Sequence, residues 1–243
     1  MKDFLKDLID HTCDLGNIDL IKITGTDQET QFNAIAEKKT VIISGSFKTP
    51  IAEFIGVFGM PNLGKLKTII GLEDYANEAN ITVVKQDRDG ESTPVTIHFE
   101  TKDKSFINDY RLMSKSVVTD KVGNVRFGGA SWNVEFEPTV AGIQRLKRQI
   151  QANSEQKEFV MKTDGTDLKI YFGDLSTHSG NFVFHPNISG TVTGKNFSWP
   201  VAEFIAIMDL VGDKTVRISD AGAIEIVVDS GIATYRYLIP AIL

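Results

Sequence analysis

Apolar residues at helical spacing open the chain. Leu5, Leu8, Ile9 and Leu15 share one face of a helix over Lys2–Leu15, with Lys6 and Asp10 opposite and Gly16 as its stop. Strand-like runs follow at Ile18–Thr24, Gln31–Ala36, Val41–Phe47, Lys65–Ile70, Ile81–Lys85 and Val95–Glu100, where alternation is clearest. A short helix from Pro50, N-capped by Thr49, interrupts them, with Ile51, Phe54, Ile55 and Phe58 at helical spacing. Turns fall at Gly25, Asp87–Gly90 and Thr101–Lys104.

The second half runs in the same order. A strand at Trp132–Phe136 precedes a helix over Thr139–Asn153 that turns Val140, Ile143, Leu146 and Ile150 inward. Strands at Glu158–Lys162 and Leu168–Phe172 flank the hairpin turn Thr163-Asp164-Gly165-Thr166. Further strands lie at Asn181–Phe184 and Thr191–Thr193, before a short helix over Pro200–Met208. Thr215–Ile218, Ala223–Val228 and Ala233–Ile239 close the chain as strands. The hexamer Pro50–Ile55 returns at Pro200–Ile205, with five of six positions identical, and Phe47 and Phe197 each lie three residues before the proline. This spacing predicts a duplicated α+β domain, residues 1–104 and 131–243, joined by a connector over 105–130 in which Ser116–Thr119 is an optional strand.

Composition narrows the class. With 42% hydrophobic residues in 243, each half has enough apolar material for a core. No run approaches a membrane span, and acids inside the first apolar stretch argue against a signal peptide. The lone Cys13 excludes an internal disulfide and a cysteine-based zinc site, and suits a reducing cytoplasm.

Chemistry-bearing motifs are sparse. Gly59, Gly64 and Lys65 have phosphate-loop spacing, but Leu66 stands where the magnesium-binding hydroxyl belongs, and the following run reads as a strand. Asp87–Glu91 lacks the glycine position and closing Glu of a calcium loop and reads as a solvated turn. His11, His98, His178 and His185 show no metal-ligand spacing. An enzyme is disfavoured; no cofactor and no metal are expected.

Net charge is −6, which taken as an average disfavours nucleic acid, yet the cations are unevenly placed. The Thr139–Asn153 helix carries Arg145, Lys147 and Arg148 and no acid. Arg145 and Arg148 lie opposite its apolar stripe, flanked by Gln144 and Gln149. Two readings fit: an ordinary solvated face, or a surface that touches phosphates without reading bases.

Duplicated helix–strand domains, a basic helix and an acidic remainder resemble the DNA polymerase sliding clamps of trimeric type, the proliferating-cell nuclear antigen and T4-like bacteriophage clamps. The resemblance is clearest over Trp132–Leu243, in Trp199–Met208, in the three closing strands and in the ending Tyr237-Leu238-Ile239-Pro240-Ala241-Ile242. Length and the compact ending are closer to a phage clamp.

That resemblance implies a processivity factor of the host cytoplasm, without enzymatic activity: a homotrimeric ring of six domains, closed head to tail around duplex DNA, that tethers a replicative polymerase. It places Arg145 and Arg148, with Lys147 and Gln149, and Lys2 and Lys6 of the first helix, on the bore. It also implies a hydrophobic pocket for short motifs of polymerase and clamp loader, with Ile239, Pro240, Ala241 and Ile242 of the tail and Tyr110, Leu112 and Met113 as walls. Val95–Glu100 and Asn181–His185 would pair across subunits. The alternative is a phage tail or baseplate ring protein.

Overall fold

The computed structural model describes residues 1–76, 79–88, 90–123, 131–174, 176, 178–194 and 197–242. The chain divides into two compact units, Met1–Arg126 with Asp229–Tyr235, and Phe127–Val228 with Arg236–Leu243.

In the first unit, helix α1 (Lys2–Asp10) precedes strands β1 (Leu20–Gly25), β2 (Thr30–Ile35), β3 (Ile42–Phe47) and β4 (Gly56–Pro61). These pair antiparallel in the order β4-β1-β2-β3. Their alternation is what buries Ile21, Ile23, Phe32, Ala34, Ile43, Phe58 and Met60 on one face. Helix α2 (Leu63–Ile70) lies against α1 and buries Leu63, Leu66, Ile69 and Ile70. The antiparallel meander β5 (Asn80–Arg88), β6 (Glu91–Glu100) and β7 (Ile107–Arg111) follows, then helix α3 (Lys115–Val122). Ala233–Tyr235 completes the unit beside β3.

In the second unit, β8 (Val134–Phe136) precedes helix α4 (Val140–Ala152) and strands β9 (Glu158–Asp164), β10 (Asp167–Phe172), β11 (Gly180–His185) and the two-residue β12 (Trp199–Pro200). Helix α5 (Val201–Met208), strands β13 (Asp213–Ser219) and β14 (Ala223–Asp229), and the part of β15 (Ala233–Pro240) from Arg236 onward complete it. Strand order is β12-β9-β10-β11, the same path as β4-β1-β2-β3. From α1 to β7 and from α4 to β15 the elements match one for one, so the duplication is real at the level of topology.

The hexamer repeat is not its register. Pro200 ends β12 and caps α5, whereas Pro50 precedes a single 3-10 turn at Ala52–Phe54. Gly56 at φ +116° breaks the first copy, while Ala206 lets the second continue as helix. Pro61, at the end of β4 and just before α2, holds the place of Pro200.

Five further expectations change. Lys65–Ile70 is helix, because Leu63, Leu66, Ile69 and Ile70 need one face and the Asp19 carboxylate accepts from Leu63 N at 3.1 Å to start the turn. Gly64 and Lys65 therefore sit inside that first turn rather than in a phosphate-binding loop. Ser116–Thr119 lies in α3, and the expected connector contains both β7 and α3, within the first unit; its Gly128 and Gly129 are outside the described residues. Thr191–Thr193 lies outside any strand, its Thr193 N donating to Asp220. Val140, expected inside, is 77% exposed at the start of α4.

The first unit also hides a carboxylate. Asp7 of α1 is buried and accepts from Tyr235 Oη at 2.6 Å and Ser230 Oγ at 3.0 Å, while the His11 ring stacks on Tyr235 at 4.5 Å. Helical spacing faces Asp7 inward with its neighbours Leu8 and Ile9; the hydroxyls make that tolerable. Tyr235→Phe should cost about 1–3 kcal/mol by removing one of the two hydroxyl donors to the buried carboxylate. Denaturant unfolding indistinguishable from the parent would show that the bond contributes nothing.

Candidate nucleic-acid interface

Helix α4 is built to show one polar face. Thr139 caps it, its Oγ1 accepting from Gly142 N at 3.0 Å. Gly142 lets the helix settle on β11, since a Cβ there would lie 2.6 Å from the Phe184 carbonyl oxygen. Leu146 is buried, Ile143 and Ile150 half-buried, and Gln144, Arg145, Lys147 and Arg148 exposed.

The cations differ in what holds them. Lys147 pairs with Asp209 at 2.6 Å, beside the end of α5, which cancels its field locally. Arg145 reaches only the Val183 carbonyl at 3.4 Å. Among the described residues no carboxylate pairs with Arg145 or Arg148. Gln149 is half-buried and accepts from Asn153 Nδ2 at 3.1 Å, so it serves the helix end. The two arginines are the free charge of this face.

On α1 the expected cations are engaged. Lys2 donates to the carbonyls of Tyr75 and Ala76, and Lys6 pairs with Asp10 at 2.8 Å. Lys67 of α2 pairs with Asp14. Lys65, exposed on α2, is a cation that sequence reasoning missed, because that run was read as a strand. The helical spacing of Leu63, Leu66 and Ile70 was the signal.

The tail residues separate into core and surface. Ile239 is wholly buried in β15, too deep to meet a partner. Pro240 and Ala241 are half-buried, with Ala241 N donating to the Gly222 carbonyl at 2.9 Å. Ile242 bridges Ser198 and, 40% exposed, borders a cavity of about 400 Å³ walled by Ile150, Pro200, Val201, Ala202 and Ile205. Lys157, Glu158 and Glu203 line the same cavity. In the first unit Tyr110 is buried with its hydroxyl donating to the Pro61 carbonyl; burial pushes the phenol well above its usual range. It belongs to the core, not to a pocket wall. Leu112 and Met113 are half-buried, their backbones tied to Val95 and Gly59.

Strand edges also bear on assembly. β6, which contains Val95–Glu100, lies between β5 and β7, so its own hydrogen bonds are used and it cannot pair with another chain. β11, with Asn181–His185, is the last strand of its sheet, and β7 ends the other, with Ile107 half exposed. Across β6 and β7, His98 lies between Asp109 at 2.8 Å and Glu100 at 3.3 Å.

No group of three His, Cys, Asp or Glu among the described residues is placed to hold a metal, and no described helix is long and apolar enough to cross a membrane. No family model and no curated protein matches the chain. Solved structures do. The A. fulgidus PCNA structure with the C-terminal region of FEN-1 bound superposes with a TM-score of 0.69 at 10% identity, covering 100% of this chain and 96% of that one. PCNA from Thermococcus kodakaraensis gives 0.68 at 13%, covering 100% and 97%. The fold is that of a PCNA-type sliding clamp. By element order α1 corresponds to α4, and α2, which carries Lys65, corresponds to α5.

His98 supplies a pH test of the β6–β7 pair. Hydrogen bonds to Asp109 and then Glu100 raise its pKa, so the folded chain holds the proton more tightly than the unfolded one. Its stabilisation is therefore complete below about pH 6.5 and lost as pH rises through the raised value. The difference in thermal midpoint between the parent and His98→Gln should shrink from acid to alkaline pH. A difference that stays constant would remove His98 from that role.

Proposed function

We propose that this chain is a DNA sliding clamp, a non-enzymatic processivity factor that closes as a homotrimer around duplex DNA and tethers a replicative polymerase. The observation that carries it is the likeness to two PCNA structures over the whole chain, with both units in the same topological order. Two clamp domains per chain give six in a trimer.

Arg145 and Arg148 supply the phosphate contacts, with Lys65 added from the first unit and Lys147, Gln149, Lys2 and Lys6 in supporting places. Such contacts are few and solvated, so they tolerate DNA without gripping it, and the acidic remainder repels it elsewhere. Retention then rests on topology rather than affinity. Polymerase and loader motifs would seat apolar side chains at the cavity beside Ile242, with Pro240 and Ala241 adjoining. Head-to-tail association must close to avoid filaments, and the free edges β11 and β7 suit it. The tail or baseplate reading gains no observation of its own.

Charge reversal tests the DNA face. The Arg145→Glu/Arg148→Glu double variant should lose about ten-fold of its stimulation of polymerase processivity at ~0.1 M salt while assembling normally. Full stimulation by that variant would sink the reading. Assembly is tested by light-scattering mass across micromolar concentrations. It should approach three times 26.8 kDa, whereas a monomer throughout, or open-ended growth, contradicts the closed ring.

A further inference from the structure

A short helix of the first unit, α3, lies over a buried cation. Lys22 of β1 is 8% exposed, and its ammonium has one hydrogen bond, to the Gly123 carbonyl at 3.4 Å. No carboxylate pairs with it among the described residues, and the sequence from Lys121 to Ala130 contains no acid. Its cross-strand neighbours are Asn33 and Gly59. A buried ammonium so poorly compensated opposes the contact that buries it.

The cover itself is weakly helical. α3 has eight residues, four of them β-branched (Val117, Val118, Thr119, Val122). Ser114 makes no side-chain cap bond, and Lys115 stands in the first turn, against the helix dipole. Such a segment is not helical alone and depends on its docking. Only Val118 and Val122 are buried. Val118 fits because Gly59 has no side chain: a Cβ there would lie 2.8 Å from Val118 Cγ2.

We propose that α3 is a releasable latch, held by Val118 and Val122 and opposed by the Lys22 charge beneath it. It opens at far lower cost than the strands it covers. Closed, it shows Val117 and Lys121; released, it uncovers an apolar strip at Gly59 and Met113 beside a cation. The latch does not depend on the clamp reading.

Hydrogen exchange on the full chain tests it. Amides of α3 should exchange about a hundred-fold faster than the central amides of β1. Lys22→Met, which keeps volume and removes charge, should slow α3 exchange about ten-fold and leave β1 unchanged. Val117→Ala, at an exposed position, should slow it about two-fold by raising helix propensity. Protection of α3 equal to that of β1, no slowing in Lys22→Met, or protection lost throughout the unit in that variant would each overturn the proposal.

Discussion

Each unit has an antiparallel run of strands with one apolar face, and a pair of helices must cover it. Neither partner is stable alone: the strands leave Ile21, Phe32 and Phe58 on one side, and the helices offer Leu5, Leu8 and Leu66. In the second unit Leu146, Phe204 and Ile207 meet the same need. Because burial consumes one face of every helix, the other is obliged to be polar, and its charges become the chemistry available to the protein. The site follows from the packing rather than being added to it.

Those charges are not equivalent. Lys147, Lys67 and Lys6 have carboxylates beside them, and exposed pairs of this kind add little stability while muting long-range attraction. Arg145 and Arg148 have no carboxylate partner among the described residues. The opposite case is the ladder Glu135–Arg217–Glu225–Arg236, which ties β8, β13, β14 and β15 across one face. It uses two arginines to hold strands and leaves that face nearly neutral.

Alternation made β1, β2, β3, β10 and the closing hairpins legible, since a period of two admits one reading when six or seven residues obey it. Short apolar runs admit two: Lys65–Ile70 satisfies a strand locally, and only Leu63 and Asn62 upstream show the helix. Letter identity misled for a related reason. The copies at Pro50 and Pro200 share five of six positions, but the next one, Gly56 against Ala206, decides the backbone. At the candidate site, Arg145 and Arg148 were legible because their own helix holds no acid. Lys2 was not, because its partners are carbonyls at Tyr75 and Ala76, distant in sequence. Ile239 and Tyr110 look like contact residues by type, and depth alone distinguishes them as core.

The segment Asp229–Tyr235 sits in the first unit although it comes from the end of the chain. Its Tyr235 reaches Asp7 across 228 positions. During synthesis α1 therefore leaves the ribosome long before the hydroxyls that satisfy Asp7 exist. Until that segment has been made, β3 lacks its neighbour β15 and Asp7 lacks its two hydroxyl donors. Vectorial synthesis thus cannot finish this unit before the second: its N-terminal half matures only once Asp229–Tyr235 has been made.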